Sequence, residues 1–466
     1  MKTSRRLVVV GHGAAGLAAA LSASEQARAR GLDVAITVLE KAAEDEAGGN
    51  TRWSPSNMSL AAVDRLAPGF AADFQAACGG RADPQYIQTL AAEAPAAAQW
   101  LESHGIAFIA PPYYLAVGPP RIQPVGGGGA IVKALSETAR AAGVTFLYET
   151  AASALVADAD GRVRGITVAG RDATTTLEAD VVIIASGGFQ GSSAMMVEHF
   201  GARADTLRLI SPGTRFNTGD GIRIATAHGA TTAGDWNGMH AEPVDPRSPN
   251  SAPVVLVYPY GIVVDRNGER FIDEGEGLVH QTWEGFARRI HFATPEGRAY
   301  AILDSRVFDI PNVARAIRSE VEPYRAESIE GLAALIEIAP DKLKATVETF
   351  NAAAVADDTG FDATRCDGLS AAPGLMPPKS NWARAIMQPP FFAYPLVGAV
   401  AYTFGGLATN AKAEVMGDSG PLPGLYAAGE VTGHFYGTAP NAVAVLRALV
   451  FGRIAGREAV RSLRAG

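Results

Sequence analysis

Leu7-Val8-Val9-Val10 runs directly into Gly11-His12-Gly13-Ala14-Ala15-Gly16 and then Leu17-Ala18-Ala19-Ala20. Glycines at this spacing suit a dinucleotide pyrophosphate. Gly11 permits a tight turn, Gly13 lets the backbone approach the phosphates, and Gly16 lets a helix pack closely on a strand. The helix start then offers free N–H groups and a positive dipole end to the anion. Glu40 closes a second apolar stretch, Val34 to Leu39, about 24 positions past Gly16, where such sites carry the acid that binds a ribose.

A strand, a glycine turn, a helix and a second strand must stand beneath these residues. Gly48-Gly49-Asn50-Thr51-Arg52-Trp53-Ser54 then offers small and amide side chains, suited to a loop against a bound cofactor. Residues 84–104 read as an alanine-rich helix, and Gly126 to Gly129 open another through Ile131 to Ala142. Val144 to Tyr148, Ala154 to Ala157 and Val163 to Val168 read as short strands of a small β-meander, with Asp158-Ala159-Asp160-Gly161 as a hairpin turn. Val181 to Ala185 is wholly apolar, as a buried parallel strand should be. Ser186-Gly187-Gly188-Phe189 follows at its carboxyl edge, where ligands bind in such sheets. From about Asp235 to Tyr402 strands become sparse and mix with helices (332–338 and 343–354), and 357–378 reads as loop. From Thr403 the strand-and-glycine style returns, with a final helix from about Asn441.

The totals are those of a globular chain. At 466 residues, two domains or one with a large insert are expected. A net charge of −8 argues against a nucleic-acid surface. Cys78 and Cys366 are the only cysteines, so neither a disulfide framework nor a CxxC metal site is expected. A reducing, cytoplasmic setting is expected. Ser4-Arg5-Arg6 imitates the start of a secretory signal, but cleavage would destroy the glycine loop, so no removed leader is expected. No apolar run reaches the length of a membrane span.

The chain resembles the FAD-binding subunits of the fumarate reductase and succinate dehydrogenase family. The resemblance rests on Gly11 to Gly16, Glu40-Lys41, Gly48 to Thr51, Ala185 to Phe189, Asn217-Thr218-Gly219-Asp220-Gly221, Asn267 to Glu274, and Ala427-Ala428-Gly429-Glu430. Gly48 to Ser54, Tyr258 to Gly261, Pro378 to Ala383 and Tyr402 to Gly406 are similar to the tricarballylate dehydrogenase branch. The resemblance implies an α/β fold: a Rossmann-like FAD-binding domain from 1–234 and 403–466 with its small β-meander, and an inserted α+β capping domain over 235–402. FAD would lie against Gly11, Gly13, Ala14, Ala15, Gly16, Glu40, Lys41, Gly49, Asn50, Thr51, Ser186, Gly187, Asp220, Gly429, Glu430 and Val445. Relatives with covalent FAD carry a histidine near the Gly49-to-Ser54 loop. Asn50, Thr51 and Arg52 stand there here, so noncovalent FAD is expected.

On the substrate side, His240 resembles the histidine that contacts a substrate carboxylate in fumarate reductases. Glu274 matches the acid of an Arg-Phe-x-x-Glu pattern and would anchor a cationic proton carrier or pair with Arg270. Arg288 and Arg306 are the candidates for the arginine proton donor. Two expected anion binders are absent: Tyr402 replaces a histidine, and Thr438 to Ala442 replace an arginine segment. Tyr113, Tyr114, Tyr258, Tyr260, Tyr402 and Tyr436 offer phenols instead, and a phenol can polarise a ketone or, ionised, take a proton. Tyr114, Tyr260, Tyr436 and Thr403 are the expected substrate contacts.

The function implied is an FAD-dependent dehydrogenase or reductase acting on a CH–CH bond next to a carboxylate or carbonyl, in the manner of tricarballylate dehydrogenase. Two alternatives stand beside it. One is a ketone α,β-desaturase with tyrosine acid–base chemistry, similar to 3-ketosteroid dehydrogenases and acting for example on a cyclic oxo acid. The other is an FAD-carrying electron-transfer subunit. A small-molecule substrate and an electron acceptor of unknown kind are the expected partners, with no metal.

Overall fold

The computed structural model describes residues 4–170 and 173–463. The chain folds as mixed α/β. Its first sheet has the strand order Glu414–Gly417, Gly420–Ala427, Val181–Ile184, Arg5–Val10, Val34–Leu39, Thr145–Leu147. All neighbours are parallel except the antiparallel edge pair at 414–427. Arg5–Val10 sits between Val34–Leu39 and Val181–Ile184, so the chain leaves to one side and later returns on the other. A crevice opens at the carboxyl ends of strands where the order reverses in this way.

Register decides what reaches that crevice. Val10 pairs with both Leu39 and Ile184, and Ile184 pairs with Ala427. Four strands therefore end level. The residues that follow them, Gly11, Glu40, Ala185-Ser186 and Ala428-Gly429-Glu430, emerge side by side. The first helix, Ala14–Ala29, and the last, Ala444–Ser462, pack together on this sheet with small side chains at their contact.

The β-meander exists with a different membership from the expected one. Its strands are Ala151–Ala157, Val163–Ala169 and Thr174–Glu178, all antiparallel. The turn at 158–161 is a hairpin, with Gly161 N–H donating to the Asp158 carbonyl at 3.0 Å. The segment expected as the first meander strand instead forms Thr145–Leu147, parallel to Val34–Leu39 on the edge of the main sheet. An apolar run marks a strand but does not name its partner.

A second sheet is built around the long strand Phe391–Thr403. Arg208–Leu209 and Arg298–Leu303 flank it, and Ile262–Asp265 follows Arg298–Leu303. Met239–Val244 and Tyr324–Ala326 also pair with Phe391–Thr403. The helix Val279–Ala293 packs on Met239–Val244 and Phe391–Thr403. The helices expected near 332 and 343 run Ile329–Leu335 and Pro340–Ala353. Among the described residues no helix is long and apolar enough to cross a membrane.

Candidate active site

One cavity of about 640 Å³ runs from the glycine loop to the second sheet. At its sheet end the backbone is tightly drawn. Gly11 has φ +112°, and a Cβ there would lie 2.3 Å from the Ala185 carbonyl oxygen; a Cβ on Gly16 would lie 1.9 Å from the Gly11 carbonyl oxygen. The first helix has no side-chain cap at Gly13, and Ala14 N–H reaches only Thr51 Oγ1 at 3.2 Å. Its start is thus free to receive an anion. Glu40 accepts from His12 N–H at 3.1 Å and Ala42 N–H at 2.8 Å, and burial holds its pKa up against those bonds.

Other cradle residues arrive from distant segments. Lys41 Nζ donates to Asp220 at 2.7 Å, so these two expected contacts meet each other. Asn50 Nδ2 donates to the Ala401 carbonyl at 2.7 Å, and its Oδ1 accepts from Ser211 Oγ at 2.7 Å. Gly49, Thr51, Ala15, Gly187, Gly429 and Val445 line the same space. Glu430 accepts from Thr403 N–H at 3.1 Å and Asn217 Nδ2 at 3.3 Å, yet burial pushes its pKa up to about 7. Ser186 Oγ and His12 Nδ1 are buried with no protein partner. An uncapped helix start, orphaned polar atoms and a glycine floor together fit a bound dinucleotide.

The far end of the cavity is aromatic and charged. His240 stands opposite Tyr402 across the strand pair, with ring centroids 4.9 Å apart and planes 22° apart. Its Nδ1 lies 2.7 Å from Glu284 Oε2 and its Nε2 lies 3.4 Å from Glu242 Oε1. Burial opposes a charge on this imidazole, but the two carboxylates outweigh it and raise the pKa to about 9. Burial likewise pushes Glu242 up, and the His240 contact and the Arg318 charge hold it below the usual range. Burial is the main cause that carries the Tyr402 phenol well above 10, with Glu284, Glu242 and Glu430 adding to it against Arg447.

Two arginines complete this end. Arg121 stacks 4.0 Å from the Tyr113 ring centre and 5.3 Å from that of Tyr114; Arg318 stacks 5.6 Å from Tyr114. Both line the cavity. Neither has a carboxylate within ion-pair distance among the described residues, and Arg121 Nε is buried without a partner. Trp283 bridges the groups, 5.4 Å from Tyr114 and 6.3 Å from His240.

A sequence family described as an FAD binding domain matches residues 6–443. The chain belongs to this FAD-binding family. A 4-oxocyclohexanecarboxylate 2-dehydrogenase from Sinomonas cyclohexanicum is 31% identical over 361 residues, covering 72% of this chain and 61% of that protein. The structure of the open conformation of a flavocytochrome c3 fumarate reductase superposes with a TM-score of 0.77 at 25% identity, covering 99% of this chain and 79% of that one. A 3-ketosteroid-Δ4-(5α)-dehydrogenase from Rhodococcus jostii RHA1 gives a TM-score of 0.71 at 25% identity over 99% of this chain and 98% of that one. The protein is an FAD-dependent oxidoreductase.

The remaining candidates for this flavoprotein's chemistry stand elsewhere. Arg306 is clamped by Asp304 at 2.6 Å and Asp358 at 3.1 Å, outside the cavity. Arg288 lies one helical turn beyond Glu284 and donates to the Asn237 carbonyl at 3.1 Å. Glu274 is fully buried with Arg270 at 2.6 Å and Lys379 at 3.6 Å, and it accepts from Val263 N–H at 2.8 Å. Tyr260 donates to the Ala363 carbonyl at 2.9 Å, and the Tyr436 hydroxyl accepts from Gly234 N–H at 3.2 Å. Thr403 is buried and positions Glu430 through its N–H. The expected substrate or proton roles of these six are not supported by where they sit: each is spent on a local partner. Of those candidates His240, Tyr402 and Tyr114 reach the cavity. Arg121, Arg318, Glu242 and Glu284 join them, and sequence reading passed them over. The one available signal was His240-x-Glu242, two polar residues on one face of a strand.

Proposed function

We propose that this flavoprotein oxidises or reduces a CH–CH bond beside the carbonyl of an oxo acid whose carboxylate is held by Arg121 and Arg318. The observation that carries the reading is that pair of stacked guanidinium groups, unpaired and directed at a cavity shared with the FAD cradle. Arg121 is buried while Arg318 is half-buried; leaving a buried cation without a counter-charge costs several kcal/mol, and a substrate carboxylate removes that cost. A tricarboxylate fits less well, because Glu242, close enough to feel the Arg318 charge, already places a carboxylate on this side of the cavity. The name of the Sinomonas relative supports a single carboxylate with a ring ketone.

FAD, when bound, accepts or supplies a hydride at flavin N5. The chain does the rest. Arg121 and Arg318 fix the carboxylate, while Tyr113, Tyr114 and Trp283 form an apolar wall that orients the carbon skeleton and excludes water. Tyr402 acts as a neutral O–H donor to the carbonyl; its raised pKa argues against the phenolate base expected for a ketone desaturase. Residues 235–402 serve as the cap over this end, and FAD is held without a covalent bond.

Arg318→Met tests the assignment. A charge-assisted contact is worth about 1.5–3 kcal/mol, or roughly 10- to 150-fold in KM. That loss is expected for 4-oxocyclohexanecarboxylate and not for its methyl ester. Equal effects on acid and ester overturn the arginine clamp.

A further inference from the structure

We infer that His240, held between Glu284 and Glu242, is the group that exchanges the proton with the substrate carbon, and that Glu284 is the positioning residue that keeps it charged. The inference rests on the oxidoreductase reading above and names a chemical actor within it.

Placement comes first. His240 lies opposite Tyr402, and the next residue, Thr403, gives its N–H to Glu430 of the FAD cradle at 3.1 Å. The imidazole therefore stands where the cradle meets the aromatic end. Its two nitrogens are not equivalent. Nδ1 makes the short bond to Glu284 Oε2, 2.7 Å, and Glu284 is itself fixed by Ala439 N–H at 3.3 Å. That bond sets the ring's orientation, as a carboxylate behind a functional histidine does. Nε2 reaches Glu242 only at 3.4 Å, a weak contact that a substrate atom can replace.

The other titratable groups of the cavity do not suit the task. His280 is half-buried beside Arg121, and desolvation and that charge lower its pKa to about 4, so it carries no proton near neutrality. Tyr402 holds its proton too firmly. Arg288, Arg306 and Glu274 lie outside the cavity. The groups around His240 are Glu242 on its own strand, Glu284 and Trp283 on the helix, and Tyr402 on the partner strand, with Arg318 facing Glu242 and with Glu430 and Arg447 behind Tyr402. Burial is outweighed by the two carboxylates, so the ring stays an imidazolium up to about pH 9.

An imidazolium is an acid, so near neutrality the site is set to reduce an activated alkene. The C=C π pair forms a new bond to the proton from Nε2 at the carbon next to the carbonyl. With reduced FAD bound in the cradle, the neighbouring carbon would take the hydride that the cofactor supplies. His240 is left neutral and takes a new proton from solvent once the product leaves, on the side where Glu242 keeps 21% side-chain exposure. Desaturation is the reverse and needs the neutral ring, so it gains as pH rises through about 9.

The test combines kinetics with spectroscopy. Dithionite-reduced holoprotein is mixed anaerobically with 4-oxocyclohex-2-enecarboxylate, and flavin reoxidation is followed from about pH 6 to about pH 10. Wild type should show a plateau that breaks near 9 and then falls about tenfold per pH unit. Glu284→Gln should move the break down by about one unit or more, Glu284→Asp should restore part of it, and His240→Asn should lose about 100-fold or more while still binding FAD. In ¹⁵N-histidine spectra of the FAD-free protein, His240 should be charged at neutral pH in wild type, and its titration midpoint should fall by about one unit or more in Glu284→Gln. An unmoved break in Glu284→Gln, a neutral wild-type His240, or a fully active His240→Asn overturns the inference. Failure of the enone to reoxidise wild type counts against the oxo-acid substrate instead, and the spectra then decide the His240 assignment alone.

Discussion

Glu430→Gln probes the join between the two ends of the chain. The Glu430 carboxyl is buried, and burial lifts its pKa to about 7 despite bonds from Thr403 N–H and the charge of Arg447. In the FAD-free protein near neutrality it is thus about half protonated. Hydroxyl groups of FAD reaching it would donate to the ionised form. One or two charge-assisted bonds of about 1.5–3 kcal/mol pull a pKa down by about one to two units. FAD binding should therefore release close to half a proton at neutral pH. Affinity should be level above the FAD-free pKa and fall by up to about tenfold per unit as pH drops below it. The sign for folding is opposite: a raised carboxyl pKa stabilises the FAD-free fold below the unfolded pKa, and this is lost as pH rises through about 7. Calorimetric titration of FAD into FAD-free protein, in two buffers of different ionisation enthalpy, reads the proton count. Glu430→Gln should abolish the linkage and weaken binding at alkaline pH by roughly 10- to 150-fold. No proton release in wild type, or an unchanged pH profile in the variant, refutes the placement of FAD hydroxyls on Glu430.

Three further outcomes follow from the contacts. Gly16→Ala puts a methyl group 1.9 Å from the Gly11 carbonyl, so the helix start must move; FAD should be lost and about 1–3 kcal/mol of stability with it, read by flavin content and thermal melting. Glu274→Gln leaves Arg270 and Lys379 buried together and should cost about 3–5 kcal/mol in denaturant unfolding. Its pH–rate profile should stay that of wild type, since Glu274 does not touch the cavity. Arg306→Lys loosens the Asp304 and Asp358 clamp and should lower the melting temperature while keeping turnover, which an essential proton donor would not allow.

The cofactor half of the site was legible because its signals are local. The Gly11-to-Gly16 loop, Glu40, the Val181 strand and Ala427-to-Glu430 each announce their geometry within a few residues, and level strand ends bring them together. The substrate half depends on tertiary contact. Arg121 follows Pro119-Pro120 in an irregular segment, Arg318 lies about 200 positions later, and only folding stacks both on Tyr114. Glu284 reads as one more polar residue of an amphipathic helix until that helix is laid on His240. Resemblance pointed to Arg288, Arg306, Tyr260 and Tyr436 by residue type. In the folded chain each is taken up by a carbonyl, a carboxylate or an N–H outside the cavity.

The most direct measurement is anaerobic mixing of oxidised holoprotein with 4-oxocyclohexanecarboxylate, 4-methylcyclohexanone and tricarballylate, at a pH near the upper end of the protein's tolerance, with the flavin absorbance followed. Bleaching by the oxo acid, with the uncharged ketone at least about 10-fold less effective, is the expected result. Bleaching by tricarballylate alone, or equally by the uncharged ketone, would contradict an arginine-held oxo acid.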